Sequence, residues 1–424
     1  MKRLIFCLAM LVLSAGAYAQ EAASAPDIND SINNSYAGNK TKRNNRNRNT
    51  DEEGDVVRVK NVSKTFAADR TDKISLSNQF GAMVIKVWDR KEVKVDISIS
   101  VTGNNEKNVQ EQIDQVEIRA EKNGDLISCR TEIDRENNNR WSGRNKKNEI
   151  KVNYVAYVPA SNALTLSQQF GSMNIGDFSG ALSAKVQYGN LIAGRLSGDN
   201  NYISVQYGKT NIEELNKATI KQQYGAGLTI GNVAELNLTA QYTGVDITAI
   251  RGNAVIKQQY GSGLRIGTVN DLDLTAQYTG VDITTIKGDA TIKQQYGQGL
   301  KIGTVGKLVL KTQYASVTLG ALRGDADLSL GYSGLNIAEV GSGCRNLNIN
   351  ASYSDLNLGF ANGYNADFTL EKGYGNFKYG SDVKARLTND EDDNSSTKNY
   401  VGKIGGGGNA TVRIKASYGS VTFK

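Results

Sequence analysis

The sequence predicts an all-β protein built around a single-chain β-solenoid with about 18 residues per turn. A Gln-Tyr pair recurs at that interval, at Gln223-Tyr224, Gln241-Tyr242, Gln259-Tyr260, Gln277-Tyr278, Gln295-Tyr296 and Gln313-Tyr314. Between Leu272 and Val305 apolar and polar residues alternate, which is typical of strands, and glycines such as Gly280 and Gly288 mark corners. Each turn should therefore contain a longer strand, a corner, a shorter strand and a second corner, flattened into two main faces. Successive turns should stack roughly 4.8 Å apart.

The full sequence repeat is two turns, or 36 residues, long. Lys221-Gln222-Gln223-Tyr224-Gly225 returns at Lys257 to Gly261 and again at Lys293 to Gly297. The turns between them carry Thr-Ala-Gln-Tyr-Thr instead, as at Thr239 to Thr243. A three-sided hexapeptide helix also has 18 residues per turn, but the chain lacks the aliphatic residue that such a helix needs at every sixth position. The pattern therefore favours the flattened solenoid.

The chain divides into six predicted segments. They are a signal peptide at 1–19, a disordered polar leader at 20–55, a β-rich cap region at 56–163, the solenoid at 164–380, a mobile acidic and Gly-rich loop at 381–410, and a closing strand at 411–424. Within the cap region we expect a short helix at Lys107–Gln115. Leu126–Ile133 and Ile150–Val158 should form a hairpin with a mobile connection at 134–148. No later segment is apolar enough to cross a membrane. The protein should be exported to the periplasm, the outer-membrane surface or the medium.

Composition argues against most catalytic chemistry. The chain has no His, the commonest general base and metal ligand, and its net charge of +7 is too mild to indicate nucleic-acid binding. After the signal peptide only Cys129 and Cys344 remain, and we expect two free, buried thiols. Asp325 and Asp327 are the nearest pair of acids near the end of the repeats, where a corner is expected. The sequence predicts no catalytic, cofactor or metal site.

Stacking the turns converts the sequence into columns of equivalent residues. The corner tyrosines share strand parity with Leu272 and Leu274, which predicts a buried aromatic ladder. An exposed strip that stacks on sugars is the alternative. The Gln before each Tyr should point outward and form an amide ladder, made of Gln187, Gln206, Gln223, Gln241, Gln259, Gln277, Gln295 and Gln313. Gln222, Gln258 and Gln294 should be buried, with amides bonded to the corner backbone.

Two further columns carry charge. Three residues before each Tyr, on the outer face, lysines recur at Lys185, Lys221, Lys257, Lys293 and Lys311. Together with Gln223, Gln259 and Gln295 they form a candidate polymer-binding face, although lysines also serve to discourage aggregation of a sheet face. On the shorter strand, the outer column alternates in charge through Thr229, Asp246, Arg265, Asp282, Lys301 and Thr318. Opposite charges on neighbouring strands indicate a role in fixing register.

Several stretches resemble one family of exported bacterial proteins. They are Leu76-Ser77-Asn78-Gln79-Phe80-Gly81 with the following Val84 to Val95, then Val155 to Pro159 with Leu166-Ser167-Gln168-Gln169-Phe170-Gly171, and the Gln-Tyr-Gly units. In these stretches the chain, from about residue 72 onward, resembles the putative adhesin family, which is widespread in Bacteroidota. The resemblance implies a β-solenoid-like, cell-surface protein and supplies no catalytic residues.

Three functions are compatible with these patterns. The first is a non-enzymatic, adhesin-like surface scaffold that binds an anionic polysaccharide or another cell-surface polymer. The second is a carbohydrate-active solenoid enzyme, a lyase or hydrolase, which would need clustered carboxylates in a groove. The third is a purely structural envelope protein. A flat face favours binding, whereas acidic pairs within a groove would favour the enzyme.

Overall fold

The computed structural model describes residues 55–133, 149–388 and 396–424. The predicted signal peptide, almost all of the polar leader, the connection at 134–148 and the acidic run at 389–393 lie outside the described residues.

Strands dominate the described chain. The N-terminal part contains β1 (Val56–Ala67), β2 (Lys73–Gln79), β3 (Met83–Trp88), β4 (Glu92–Gly103), α1 (Glu106–Asp114), β5 (Val116–Asn123), β6 (Leu126–Ile133) and β7 (Glu149–Pro159). The repeats contain β8 (Ala163–Gln169), β9 (Met173–Ile175), β10 (Leu182–Gln187), β11 (Leu191–Leu196), β12 (Asn201–Gln206), β13 (Lys209–Gln223), β14 (Gly227–Gln241), β15 (Val245–Gln259), β16 (Leu264–Gln277), β17 (Val281–Gln295), β18 (Leu300–Gln313), β19 (Val317–Leu322), β20 (Ala326–Gly331), β21 (Leu335–Val340), β22 (Asn346–Ser352) and β23 (Leu356–Phe360). The C-terminal part contains β24 (Ala366–Lys372), β25 (Phe377–Tyr379), β26 (Val383–Leu387), β27 (Lys398–Ile404), β28 (Ala410–Ser417) and β29 (Val421–Phe423).

The repeats form the predicted β-solenoid. Successive turns pair in parallel, so that Leu264 lies beside Val281 and Leu274 beside Ile292. The inward side chains of β16 are buried, and they are Leu264, Ile266, Val269, Leu272, Leu274 and Ala276. In β13 to β18 the shorter and longer strands run on as one strand of 14 or 15 residues. The corner between them is therefore a bend within the ladder, marked in β15 by a register shift between Ile250 and Asn253.

The N-terminal cap is an insertion into the solenoid. The first turn, β2 and β3, pairs on one side with β8 and β9 and on the other with β6 and β7. Helix α1 matches the predicted helix within one residue, begins at the Asn105 cap and buries Val109 and Ile113. The predicted hairpin between β6 and β7 is wrong. Strands β6 and β7 lie instead on different strands of the first turn, β2 and β3, so each takes another antiparallel partner, β5 for β6 and β4 for β7.

The C-terminal end is built in the same way. Strand β28 lies between β22 and β24, and β29 lies between β23 and β25, so the last residues complete an internal turn. The edge beyond β24 is covered by the antiparallel hairpin of β26 and β27. Both strands lie within the segment 381–410, which was predicted to be a mobile loop. The predicted closing strand is likewise not the outermost one.

Candidate functional site

The outer side of the longer strands, here called the long-strand face, carries the predicted lysine row. Lys185, Lys221, Lys257, Lys293 and Lys311 are all exposed. Their columns align through direct pairing, with Ser204 beside both Lys185 and Lys221, and Thr239 beside Lys257. Lys293 and Lys311 are immediate neighbours on β17 and β18. The structure thus brings the predicted lysines together in one line along the solenoid.

The amide ladder lies beside this row. From Gln223 to Gln313 each Gln side chain donates from Nε2 to Oε1 of the Gln on the next turn, at 2.8 Å from Gln223 to Gln241 and 2.7 Å from Gln259 to Gln277. Gln187 donates to Gln206 in the same way, at 3.2 Å. The bond lengthens to 3.4 Å from Gln295 to Gln313 at the end of the series. An amide has two N–H donors, so each ladder member keeps a second donor for solvent or a ligand. The predicted ladder is confirmed from Gln223 to Gln313 and between Gln187 and Gln206, and all its bonds point the same way along the solenoid axis.

The corner tyrosines are exposed, and the prediction that they are buried is wrong. Every corner aromatic from Phe80 to Tyr353, and Tyr418, adopts the left-handed backbone conformation, with φ of 51° at Tyr224 and 54° at Tyr260. Strand parity assumes an extended backbone at every residue, and the left-handed turn redirects the side chain outward. The corner residues of the ladder from Phe170 to Tyr374 are 41–56% exposed, and Phe80 is half-buried. The backbone N–H groups of the corner tyrosines still take part in the hydrogen bonds between adjacent turns. That of Tyr224, for example, donates to the Gln241 carbonyl at 3.0 Å.

These rings form an unbroken stack along the corner. It runs through Phe80, Phe170, Tyr188, Tyr207, Tyr224, Tyr242, Tyr260, Tyr278, Tyr296, Tyr314, Tyr332, Tyr353, Tyr418 and Tyr374. Centroids of the Tyr224 and Tyr242 rings are 5.0 Å apart, with planes inclined by 8°. Each inner ring therefore has both faces covered by its neighbours, and a sugar cannot stack between them. Only ring edges and hydroxyl groups face solvent.

The buried glutamines behave as predicted. Gln222, Gln258 and Gln294 are fully buried. Gln258 Nε2 donates to the carbonyls of Thr243 and Gly263 at 3.1 and 3.0 Å, which is the expected bonding to corner backbone. The buried amide column starts earlier than the sequence analysis placed it, with Asn78 and Gln168 in the same register. The repeated Gln-Phe-Gly motif at Gln79 and Gln169 was the signal that could have located them.

The shorter-strand charges, Asp325 and the two cysteines were also singled out in the sequence, and the structure gives each a structural setting. On the shorter strand Asp246 lies beside Arg265, which lies beside Asp282, so the predicted charge alternation across strands is confirmed. Asp325 accepts hydrogen bonds from both the backbone and the side chain of Asn346, which confirms its corner role and keeps the pKa of its carboxyl low. Cys129 and Cys344 are free and buried as predicted. Burial raises the pKa of Cys344 to about 12, so its thiol stays protonated.

One groove interrupts the long-strand face at its C-terminal end. It has a volume of about 490 Å³ and lies across β20, β22, β28, β24 and β27. Two carboxylates line it, and both are engaged. Asp327 accepts from the Asn348 amide at 2.7 Å, and Glu371 pairs with Lys415 at 2.9 Å. Among the described residues no group of three or more Cys, Asp or Glu side chains is placed to hold a metal ion.

No protein-family model and no curated protein matches the chain. Among solved structures it is similar to a putative cell adhesion protein from Clostridium sporogenes, with 10% identity, 87% of this chain and 99% of the other covered, and a TM-score of 0.16. It is also similar to a putative adhesin from Bacteroides fragilis (11% identity, 66% and 97% covered, TM-score 0.18) and to a putative lipid binding protein from Parabacteroides distasonis (8% identity, 86% and 96% covered, TM-score 0.14). Within the described ranges no helix has the length and apolarity needed to span a membrane.

Proposed function

We propose that the protein is an exported, non-enzymatic, adhesin-like surface scaffold that binds an acidic envelope or cell-surface polysaccharide along its long-strand face. The observation that carries the proposal is the alignment of Lys185, Lys221, Lys257, Lys293 and Lys311 in one exposed row. Lys221, Lys257 and Lys293 recur every second strand, roughly 9.6 Å apart at the usual strand spacing. The adjoining amide ladder supplies neutral donors for the hydroxyl groups of a polymer.

Single contacts on such a face are weak, so the ligand should be long. An exposed ion pair contributes roughly 0.2–1 kcal/mol and is screened by salt. A polymer that spans several lysines makes its later contacts within one complex, which raises the overall affinity. We therefore expect binding to increase with polymer length and to fall with ionic strength. Export through the predicted signal peptide would place this face in contact with envelope polymers.

The test replaces Lys221, Lys257 and Lys293 by Gln in the full mature chain. The control replaces Lys287, Lys301 and Lys307 by Gln. These three lysines are exposed and lie off the lysine row, and their replacement removes the same amount of charge. Retention of polygalacturonate should fall about tenfold or more in the first variant at low ionic strength and should change little in the control. Equal retention of polygalacturonate by both variants would rule out the lysine row as the binding site. Equal retention of a neutral galactan by the unmodified protein would rule out charge-based recognition.

A further inference from the structure

The C-terminal groove continues the long-strand face into the cap. Lys311 lies beside Ser329, and the row runs on through Asn350, Lys415 and Glu371 to Asn399. A parallel row runs from Asp327 through Asn348, Arg413 and Thr369 to Val401. Both rows line the groove. The sequence could not align them, because Arg413 and Lys415 reach this position only after the insertion between β23 and β28.

Arg413 is the one cation of the groove without a carboxylate partner. Lys415 is neutralised by Glu371, whereas Arg413 forms no ion pair with any described residue. Arg413 is exposed, and its neighbours on the adjacent strands are the neutral residues Asn348 and Thr369. A guanidinium can bind a carboxylate through two parallel hydrogen bonds. The groove therefore offers one anion site surrounded by groups that bond hydroxyls.

We propose that this groove binds a short acidic saccharide of the uronic-acid type. Arg413 takes the carboxylate, and Asn348, Asn350 and Thr369 hydrogen-bond the hydroxyl groups. One unpaired cation suits a monoanionic carboxylate better than a dianionic phosphate. The volume of about 490 Å³ lies within the roughly 300–1,000 Å³ usual for small-molecule sites. The choice of ligand class rests on the proposed function, but the site is separate from the lysine row and would fix one end of a polymer.

The test measures binding of trigalacturonate to the full mature chain by calorimetry. Arg413→Gln should weaken binding about tenfold or more, since a hydrogen bond to a charged group contributes roughly 1.5–3 kcal/mol. Arg413→Lys should be intermediate, because lysine keeps the charge and loses the paired geometry. The control, Arg265→Gln, removes an exposed arginine from the shorter-strand face and should bind normally. Unchanged binding by Arg413→Gln, or equal binding of neutral galactotriose by the unmodified protein, would overturn the proposal.

The two proposals fail in different ways. If Lys221, Lys257 and Lys293 are needed for polygalacturonate retention but Arg413 is not needed for trigalacturonate, the groove proposal is wrong and the lysine row stands. If Arg413 is needed for the trisaccharide but the triple lysine variant retains polygalacturonate fully, the groove stands and the lysine row is wrong. Strong binding of galactose 6-phosphate in place of the uronate would overturn the choice of carboxylate.

Discussion

A corner tyrosine in this solenoid combines an unfavourable backbone with a favourable side chain. The left-handed conformation costs a non-glycine residue roughly 1–2 kcal/mol. Each stacked aromatic pair returns roughly 0.5–1.5 kcal/mol, and an inner ring such as Tyr260 has two partners, at 5.0 and 4.9 Å. The stack also joins every turn to the next at the same corner. Aromatic rings, rather than glycine, therefore suit this corner because it is repeated.

The balance at Tyr260 can be measured by replacing it with Ala and with Gly. Tyr260→Ala loses both stacking contacts and keeps the strained backbone, so it should lower the free energy of unfolding by about 1–3 kcal/mol. Tyr260→Gly loses the same contacts but relieves the strain, and should be more stable than the Ala variant by about 1 kcal/mol. Urea unfolding gives the order. At Tyr202, an extended strand residue outside the ladder, the order should reverse. A Gly variant at 260 that is no more stable than Ala would contradict this account.

At the scale of the turn, the 36-residue period has a packing cause. In turns with a buried Gln the corner residue after Tyr is Gly, and a Cβ at Gly261 would overlap the Gln258 amide and the Thr243 carbonyl. In the alternate turns Ala240 leaves that space, and the buried Thr243 takes the corner position. The Thr243 carbonyl then accepts from the Gln258 amide of the next turn. Two unlike turns thus fit together, which is why the sequence repeats over two turns and not one.

Two buried acceptors in this arrangement, Oε1 of Gln258 and Oε1 of Gln294, have no hydrogen-bond partner, and a designed donor should stabilise the first. Gln222 Oε1 accepts from Thr210 Oγ1 at 2.6 Å, whereas Gln258 Oε1 is buried without a hydrogen bond. Val245 occupies the register position of Thr210. Val245→Thr should therefore leave the free energy of unfolding unchanged or raise it by about 1 kcal/mol.

Val233→Thr is the control for that design. It places a hydroxyl at another fully buried valine and should lower the free energy of unfolding by about 1–3 kcal/mol. Thermal unfolding of both variants makes the comparison. A loss at Val245→Thr as large as the loss at Val233→Thr would show that the hydroxyl does not reach Gln258.

At the scale of the whole molecule, the sequence predicted the features that recur with each turn. It did not predict the strand pairing in the two insertions at the ends of the solenoid. Stacking at 18 residues placed the lysine row, the amide ladder and the buried glutamines, because each depends only on strand parity and a constant period. The side-chain orientation of Tyr224 was predicted wrongly because its backbone leaves the strand conformation. The hairpin assigned to β6 and β7 failed because their partners lie on a first turn separated from them in sequence. The position of Arg413 beside Asn348 was missed for the same reason. The insertion after β23 separates β28 from β22 in sequence, so the 18-residue period does not align the two residues.

The insertions cover the longer strand at both ends of the solenoid, and this cover should keep the protein monodisperse. A parallel stack left open would present a row of unpaired N–H and C=O groups, which invites pairing with another chain. At the C-terminal end the longer strand of that edge is β24, and β27 covers it along its whole length from Ala366 to Lys372, whereas the three-residue β25 pairs only with β29 among the described strands. The antiparallel hairpin of β26 and β27 ends the parallel series, so a further turn cannot add in register.

Replacing residues 383–404, the cap hairpin, by a short Gly-Ser linker should therefore cause self-association. The exposed β24 edge should pair between molecules, and light scattering after size exclusion should show oligomers that increase with protein concentration. The control shortens only 389–395 and keeps both β26 and β27, so it should elute like the unmodified chain. Oligomers in both variants would assign the effect to the change at 389–395. A variant without the hairpin that stays monomeric and folded would show that β24 needs no cover, and that closure of the solenoid lies elsewhere.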